Sequence, residues 1–150
     1  MPKFETRRHV PYSARQMYDL VADVERYPEF LPLCEALRVR SRAPFGDGEI
    51  LVADMEVGFG AIRERFTSQV TLDPAPLKIG SSYIDGPFRR MDNKWQFVPA
   101  AAGGSDVVFY IDYEFKSIIL QMLMGSMFDI AFRKFTSAFE ERARKVYGAA

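Results

Sequence analysis

Residues 117–147 read SIILQMLMGSMFDIAFRKFTSAFEERARKVY, without a single proline. The segment predicts one helix from Ser117 to about Tyr147. At about 1.5 Å per residue that helix is roughly 45 Å long, where an average globular helix has about 10–14 residues. Leu120, Met124, Met127, Phe128, Ala131, Phe135, Ala138 and Phe139 recur at three- and four-residue steps and therefore share one face. A stripe of that length needs an equally long partner surface. Its first part, Ile118 to Met124, is apolar almost all round, which predicts burial on every side or a face turned to a cavity mouth or a membrane. Arg133, Lys134, Glu140, Glu141, Arg142, Arg144 and Lys145 make the second half a solvated rim.

The preceding hundred residues supply the partner surface. Phe4 to Val10 predicts a first strand, closed by Pro11-Tyr12-Ser13. Ser13 with Gln16 forms a capping box for a helix from Ala14 to about Asp23. Pro28 and Pro32 bracket a second short helical turn. Strands follow at Glu35–Ala43, Glu49–Val57, Ala61–Leu72, Leu77–Ile84, Lys94–Val98 and Val107–Phe115. They are separated by turn chemistry such as Pro44-Phe45-Gly46-Asp47-Gly48, Gly58-Phe59-Gly60, Asp73-Pro74-Ala75-Pro76 and Asp85-Gly86-Pro87. Most alternate: Leu51, Ala53, Met55 and Val57 oppose Asp54 and Glu56, and Phe109, Ile111, Tyr113 and Phe115 oppose Tyr110, Asp112 and Glu114. The order predicts an α+β domain spanning residues 1–150. In it, a curved antiparallel sheet of about seven strands wraps the C-terminal helix, and two short helices follow strand one.

Composition narrows the function. Lys+Arg and Asp+Glu both number 20, so no net field draws the chain to nucleic acid, and no DNA partner is expected. One cysteine, Cys34, rules out an internal disulfide and suggests a reducing compartment. One histidine and one cysteine leave no basis for an imidazole–thiolate metal site. The N-terminus has neither an apolar signal core nor an Arg/Ser-rich presequence, and the longest apolar run is too short to span a bilayer. A cytoplasmic protein is expected.

Aromatics make up 14% of the chain, with 13 Phe and 7 Met; on both sheet and helix they suit an adaptable apolar cavity, the alternative being a filled core. Parity assigns Phe66, Trp95, Phe97, Phe109 and Tyr113 from the sheet and Met124, Phe128 and Ala131 from the helix to the cavity wall. Glu64 shares parity with Ile62, Phe66 and Val70, so it either anchors a polar ligand group beside Ser68 or pairs with an arginine. Tyr27, Phe30 and Leu31 pack the short helix onto the sheet or gate the cavity. Arg38, Arg40 and Arg42 on one strand, with Arg63 and Arg65 on another, form either a basic patch for RNA phosphate or a cross-strand ion-pair lattice with Asp54, Glu56, Asp112 and Glu114. His9 and Cys34 are candidates for a catalytic base and a nucleophile, against an ordinary strand position and a packed thiol.

The combination of Val24-Glu25-Arg26-Tyr27-Pro28-Glu29-Phe30-Leu31-Pro32-Leu33-Cys34, Phe66-Thr67-Ser68, Asp85-Gly86-Pro87-Phe88-Arg89-Arg90 with Trp95-Gln96-Phe97, and Ala138-Phe139-Glu140-Glu141-Arg142-Ala143 resembles the coenzyme Q-binding protein family. That family lies in the START-like (polyketide cyclase, helix-grip) superfamily, and its bacterial relatives include the ribosome association toxin. The resemblance spans essentially the whole chain. It implies a helix-grip fold and a tunnel that takes ubiquinone or another lipid as bound ligand, without catalysis and without a cofactor. It adds Pro28, Pro87 and Phe88 to Tyr27, Phe30 and Leu31 as gate and motif positions. It keeps open a second role, blocking ribosomal subunit association through a basic surface, and a transient contact with the inner-membrane surface. Mitochondrial members carry a presequence not seen here, which suggests a bacterial chain. A cyclase or dehydratase is the third alternative, resting on Glu64 with Tyr113 or Ser68.

Overall fold

The computed structural model describes residues 3–148 apart from Gly60, and of Phe59 only the backbone. Met1, Pro2 and the Gly60 step of the predicted Gly58–Gly60 connection therefore lie outside the described residues.

Seven strands form one antiparallel sheet: β1 (Lys3–Val10), β2 (Cys34–Phe45), β3 (Gly48–Phe59), β4 (Ile62–Asp73), β5 (Lys78–Asp85), β6 (Phe88–Pro99) and β7 (Ser105–Phe115). Their spatial order is β1-β7-β6-β5-β4-β3-β2, so hairpins join β2 through β7 in succession and the pairing of β1 with β7 is the one long-range match. Between β1 and β2 lie α1 (Ala14–Ala22) and a 3-10 helix (Val24–Glu29). The capping box is present: the Gln16 amide donates to the Ser13 hydroxyl at 3.1 Å, and the Ser13 amide donates to the Gln16 side chain at 2.9 Å. Pro28 sits inside the 3-10 helix near its end rather than opening it. A turn of that type loses little by Pro28's missing N–H, because its ladder is short.

The long helix is α2, Ile118–Tyr147. The Ser117 hydroxyl accepts from the Leu120 amide at 3.1 Å, and the helix closes at Gly148, whose amide donates to the Arg144 carbonyl at 2.9 Å. Arg144 and Lys145 face the negative end of the helix dipole. Of the apolar stripe, Met124, Phe128, Ala131 and Phe139 are buried and Leu120, Met127, Phe135 and Ala138 half-buried. The helix lies along β7, β1 and α1. Its second half is tied there by side chains: Arg8 to Glu140 at 2.6 Å, Arg142 to Glu29 at 2.5 Å, and the Tyr147 hydroxyl to the Gln16 carbonyl at 3.0 Å. No hydrogen bond or ion pair ties residues 118–128 to another element among the described residues.

Two strands depart from the sequence reading. β6 begins at Phe88, six residues before the expected Lys94: Arg89, Arg90, Asp92 and Asn93 make its first half polar, and a register shift between Phe88 and Arg90 puts Phe88 out of step with Met91 and Trp95. In β2 the register shifts between Val39 and Ser41. Such a bulge moves later residues to the other face of the sheet, so Arg42 stands opposite Leu51 on the concave side, away from Arg38 and Arg40. The three-arginine outer row is thus broken.

Candidate ligand-binding cavity

The concave face of the sheet does not fill evenly. On the β6–β7 side, Trp95, Phe97, Phe109, Ile111 and Tyr113 are buried and stack among Tyr18, Phe132, Phe135 and Phe139. On β3, β4 and β5 the inward positions include Ala53, Ser68 and Ser81, and these short side chains leave a cavity of about 100 Å³ beneath α2. Pockets that hold drug-sized ligands have about 300–1,000 Å³, so this is a closed form that must widen to take one. Its walls include Met55, Phe66, Phe88, Met91 and Trp95 from the sheet and Phe128, Ala131, Phe132, Phe135 and Phe139 from α2. No Asp, Glu, Lys, Arg or His lines it.

A separate narrow recess of about 10 Å³ lies between Leu33, Gly58, Ile62 and the helix residues Leu123, Met124 and Met127. Leu33 and Phe128 line both spaces, and the recess sits one to two turns from the start of α2. There Ile118, Ile119, Met122 and Leu123 are 79%, 69%, 77% and 56% exposed, so the all-apolar helix start faces solvent. Leu33 holds φ +67°, a left-handed conformation that costs a branched residue about 1 kcal/mol or more. Its carbonyl accepts from the Gly58 amide at 3.0 Å, which ties the rim of the recess together. Across the mouth end, Gly86 has φ +143°, and a Cβ there would stand 2.5 Å from the Cβ of Phe66, so the close approach of this turn to the cavity wall needs glycine.

Of the residues assigned to the wall by parity, Phe66, Trp95, Phe128 and Ala131 line the cavity. Phe97, Phe109 and Tyr113 are buried beside it in the filled flank, where stacking rather than a void surrounds them. Met124 lines the recess. Glu64 is half-buried at the β4 end, outside the cavity, and makes no ion pair among the described residues. Its inward parity holds, but the strand has already passed the cavity's edge there. Among the gate positions, Tyr27, Leu31 and Phe88 line the cavity; Phe30 packs on Tyr27 and Phe139, and Pro28 and Pro87 stay outside the wall. Tyr27 donates its hydroxyl to the Val21 carbonyl, and burial holds its phenol far above the ordinary value. Burial likewise pushes the Cys34 thiol up to about 12, making it a poor nucleophile. His9 lies on the exposed outer edge, with Nδ1 3.1 Å from Asp106.

Parity reasoning passed over Ser81 and Asn93, which line the cavity. Both could have been placed by their neighbours, since Ser81 lies between Ile79 and Tyr83 and Asn93 between Met91 and Trp95.

The outer face is an ion-pair lattice. Arg40 donates to Asp54 at 2.6 Å and the Thr67 hydroxyl donates to the other carboxylate oxygen at 2.5 Å. Burial resists ionisation of Asp54, but the bonds from Thr67 and Arg40 and the charges of Arg40 and Arg65 outweigh it and hold the carboxyl below its ordinary value. Arg90 bridges Asp112 and Glu114, and Arg63 meets Glu35. Arg42 meets Glu25 and Glu49 on the concave side. Arg38 is exposed and forms no ion pair among the described residues. No helix of the described residues is long and apolar enough to cross a membrane.

Residues 10–140 match the family model described as polyketide cyclase / dehydrase and lipid transport. The chain is 33% identical over 149 residues to the ribosome association toxin RatA of Rickettsia prowazekii, covering 97% of this chain and 99% of that protein. It is 33% identical over 141 residues to the mitochondrial coenzyme Q-binding protein COQ10 homolog B of Xenopus laevis, covering 91% of this chain and 56% of the longer relative. A START superfamily protein from Mycobacterium smegmatis, 20% identical, superposes with a TM-score of 0.77 over 96% of this chain and 98% of its own. With the sheet order, the clasped C-terminal helix and these likenesses in agreement, the chain belongs to the polyketide cyclase / dehydrase and lipid transport family and has the START-like fold.

Proposed function

We propose that this protein is a non-catalytic carrier that encloses an isoprenoid quinone, ubiquinone in the first instance, between its sheet and α2. The observation that carries the reading is a cavity walled by aromatic and Met side chains with no charged group on its lining. Such a wall binds through buried apolar area, at about 25 cal/mol per Å² before the entropic cost of binding. It offers no acid–base pair to a reaction, because among the described residues Tyr27 is the only titratable side chain on its wall and is committed to the Val21 carbonyl. The likeness to a coenzyme Q-binding relative supports the same ligand class. Met55, Met91 and Phe135 turn aside to widen the closed form, and the exposed Ile118, Ile119, Met122 and Leu123 meet the bilayer surface where the ligand is exchanged. Protein purified from a quinone-containing host, extracted with solvent and read by mass spectrometry, carries stoichiometric quinone. Protein that holds none and takes up none when supplied would refute the carrier reading, and failure to float with liposomes would remove the membrane step.

One observation favours a second reading, association with the ribosome: the likeness to a relative so named runs over 97% of the chain. Arg38 and Arg65 are outer-face arginines that form no ion pair among the described residues, whereas Arg40 is engaged by Asp54 and Arg42 lies on the concave side. Cosedimentation with ribosomal subunits that falls steeply with salt and is lost in Arg38→Glu would establish it; indifference to both would dismiss it.

A further inference from the structure

We infer that the cavity takes its ligand head-first, and that Ser68 donates its hydroxyl to a neutral carbonyl or ether oxygen of that head, with Ser81 and Asn93 completing a polar floor. The inference rests on the carrier reading and adds to it the ligand's charge, its orientation and the residue that recognises it.

Ser68 is 5% exposed, and its hydroxyl is the one fully buried side-chain polar atom among the described residues that has no hydrogen-bond partner. Buried polar groups are nearly always paired, so an orphan on a cavity wall marks a place for a ligand atom. The neighbours cannot satisfy it. Across β3 it faces Ala53, which has no polar atom, and across β5 it faces Tyr83, whose hydroxyl is turned to the Phe88 amide at 3.0 Å. Ser81 stands one pair further along β5, directly opposite Asn93 on β6. Opposed positions of an antiparallel pair bring their Cβ atoms within about 5 Å and diagonal ones within about 8 Å. The three side chains therefore form one patch across β4, β5 and β6. Asn93 spends one N–H on the Tyr110 carbonyl at 3.0 Å, and its own carbonyl oxygen has no partner among the described residues. The patch thus offers hydroxyl and amide donors together with an acceptor, and no charge.

That chemistry selects. A carboxylate or phosphate head would be buried without a counter-charge, which the low-dielectric wall penalises heavily. A quinone or another neutral oxygenated head is matched. The patch also sets direction. Ile62 flanks the recess beneath the first turns of α2, and Ser68 lies six residues further along the same strand, about 20 Å at the rise of a β-strand. An oxygenated head on Ser68 leaves the apolar tail running back past Phe66 and Phe128 to the exposed start of α2.

The test is a competition assay in which a short-chain ubiquinone and an isoprenoid hydrocarbon of equal length each displace a fluorescent apolar probe from wild type, Ser68→Ala and Ser68→Thr. Ser68→Ala should weaken the quinone about 5–30-fold and leave the hydrocarbon unchanged, and Ser68→Thr should restore the quinone. Ligand-free Ser68→Ala should melt about 2–4 °C higher, because an unsatisfied buried hydroxyl has gone. Equal weakening of both ligands, no weakening of either, or a fatty acid of the same length binding more tightly than the quinone would overturn the inference while leaving the carrier intact. Displacement by none of the ligands would overturn both.

Discussion

The two flanks of the concave sheet are made from the same kinds of residue and reach opposite results. Under α1 and the second half of α2, Met17, Val21, Phe97, Val107 and Phe109 are all at most 2% exposed and leave no space. Under the middle of α2, from Phe128 to Phe139, a void lies enclosed with Phe66, Phe88 and Trp95 on its sheet side. Aromatic content does not separate the flanks. Side-chain length on β3–β5 does, since Ala53, Ser68 and Ser81 stand where a filled core would place Leu or Phe. The helix reinforces the asymmetry by packing closely on β7 and β1. A hollow of this kind is therefore specified by what is small, not by what is greasy.

The contrast can be broken most forcefully with truncations. Phe97→Ala, in the filled flank, should cost about 3–5 kcal/mol in urea unfolding, while Phe135→Ala, half-buried beside free volume, should cost about 1–2 kcal/mol. Equal losses would mean that the flanks are equally well packed. Enlargements sharpen the same point from the other direction. Ala143→Leu, at a position with no exposure, should destabilise by about 1–3 kcal/mol, whereas Ala53→Leu should stay within about 1 kcal/mol and abolish uptake of a quinone or hydrocarbon. The smallest effect lies on the outer face. Asp54 has its folded pKa below its unfolded value, so its contribution is present in full above about pH 4 and is lost as pH falls through the lowered folded value. Because Arg40 is half exposed, the contribution stays below about 1 kcal/mol. In Asp54→Asn the urea midpoint should fall less steeply with acid than in wild type. An identical acid slope would show that the pair contributes nothing.

Much of the fold is written locally. Period-two alternation located six of the seven strands closely, and the Ser13–Gln16 pair marked the start of α1. β6 was shortened in the sequence reading because polar residues occupy its early positions, and nothing local announces that they lie over the cavity floor and the outer lattice. The bulge after Val39 has no Gly or Pro to mark it, so the flip of Arg42 depends on pairing with β3. The site was legible only in part. Phe66, Trp95, Phe128 and Ala131 followed from parity and helical step, but parity cannot say which inward residues touch packed neighbours and which touch space. That is why Phe97, Phe109 and Tyr113 were assigned with them. Ser81 carries the inward parity of Ile79 and Tyr83, whereas Asn93 falls before the expected start of its strand at Lys94 and so receives no face.

The lopsided fastening of α2 has a mechanical consequence. Its far end is clamped by Arg8, Arg142 and Tyr147, while the end bearing Ile118 and Met122 has no such bond to another element among the described residues. A rod held in this way behaves as a cantilever, whose thermal deflection grows toward the unsecured tip. On the carrier reading, entry of a guest at the tip would leave the clamped root and the register of the sheet undisturbed.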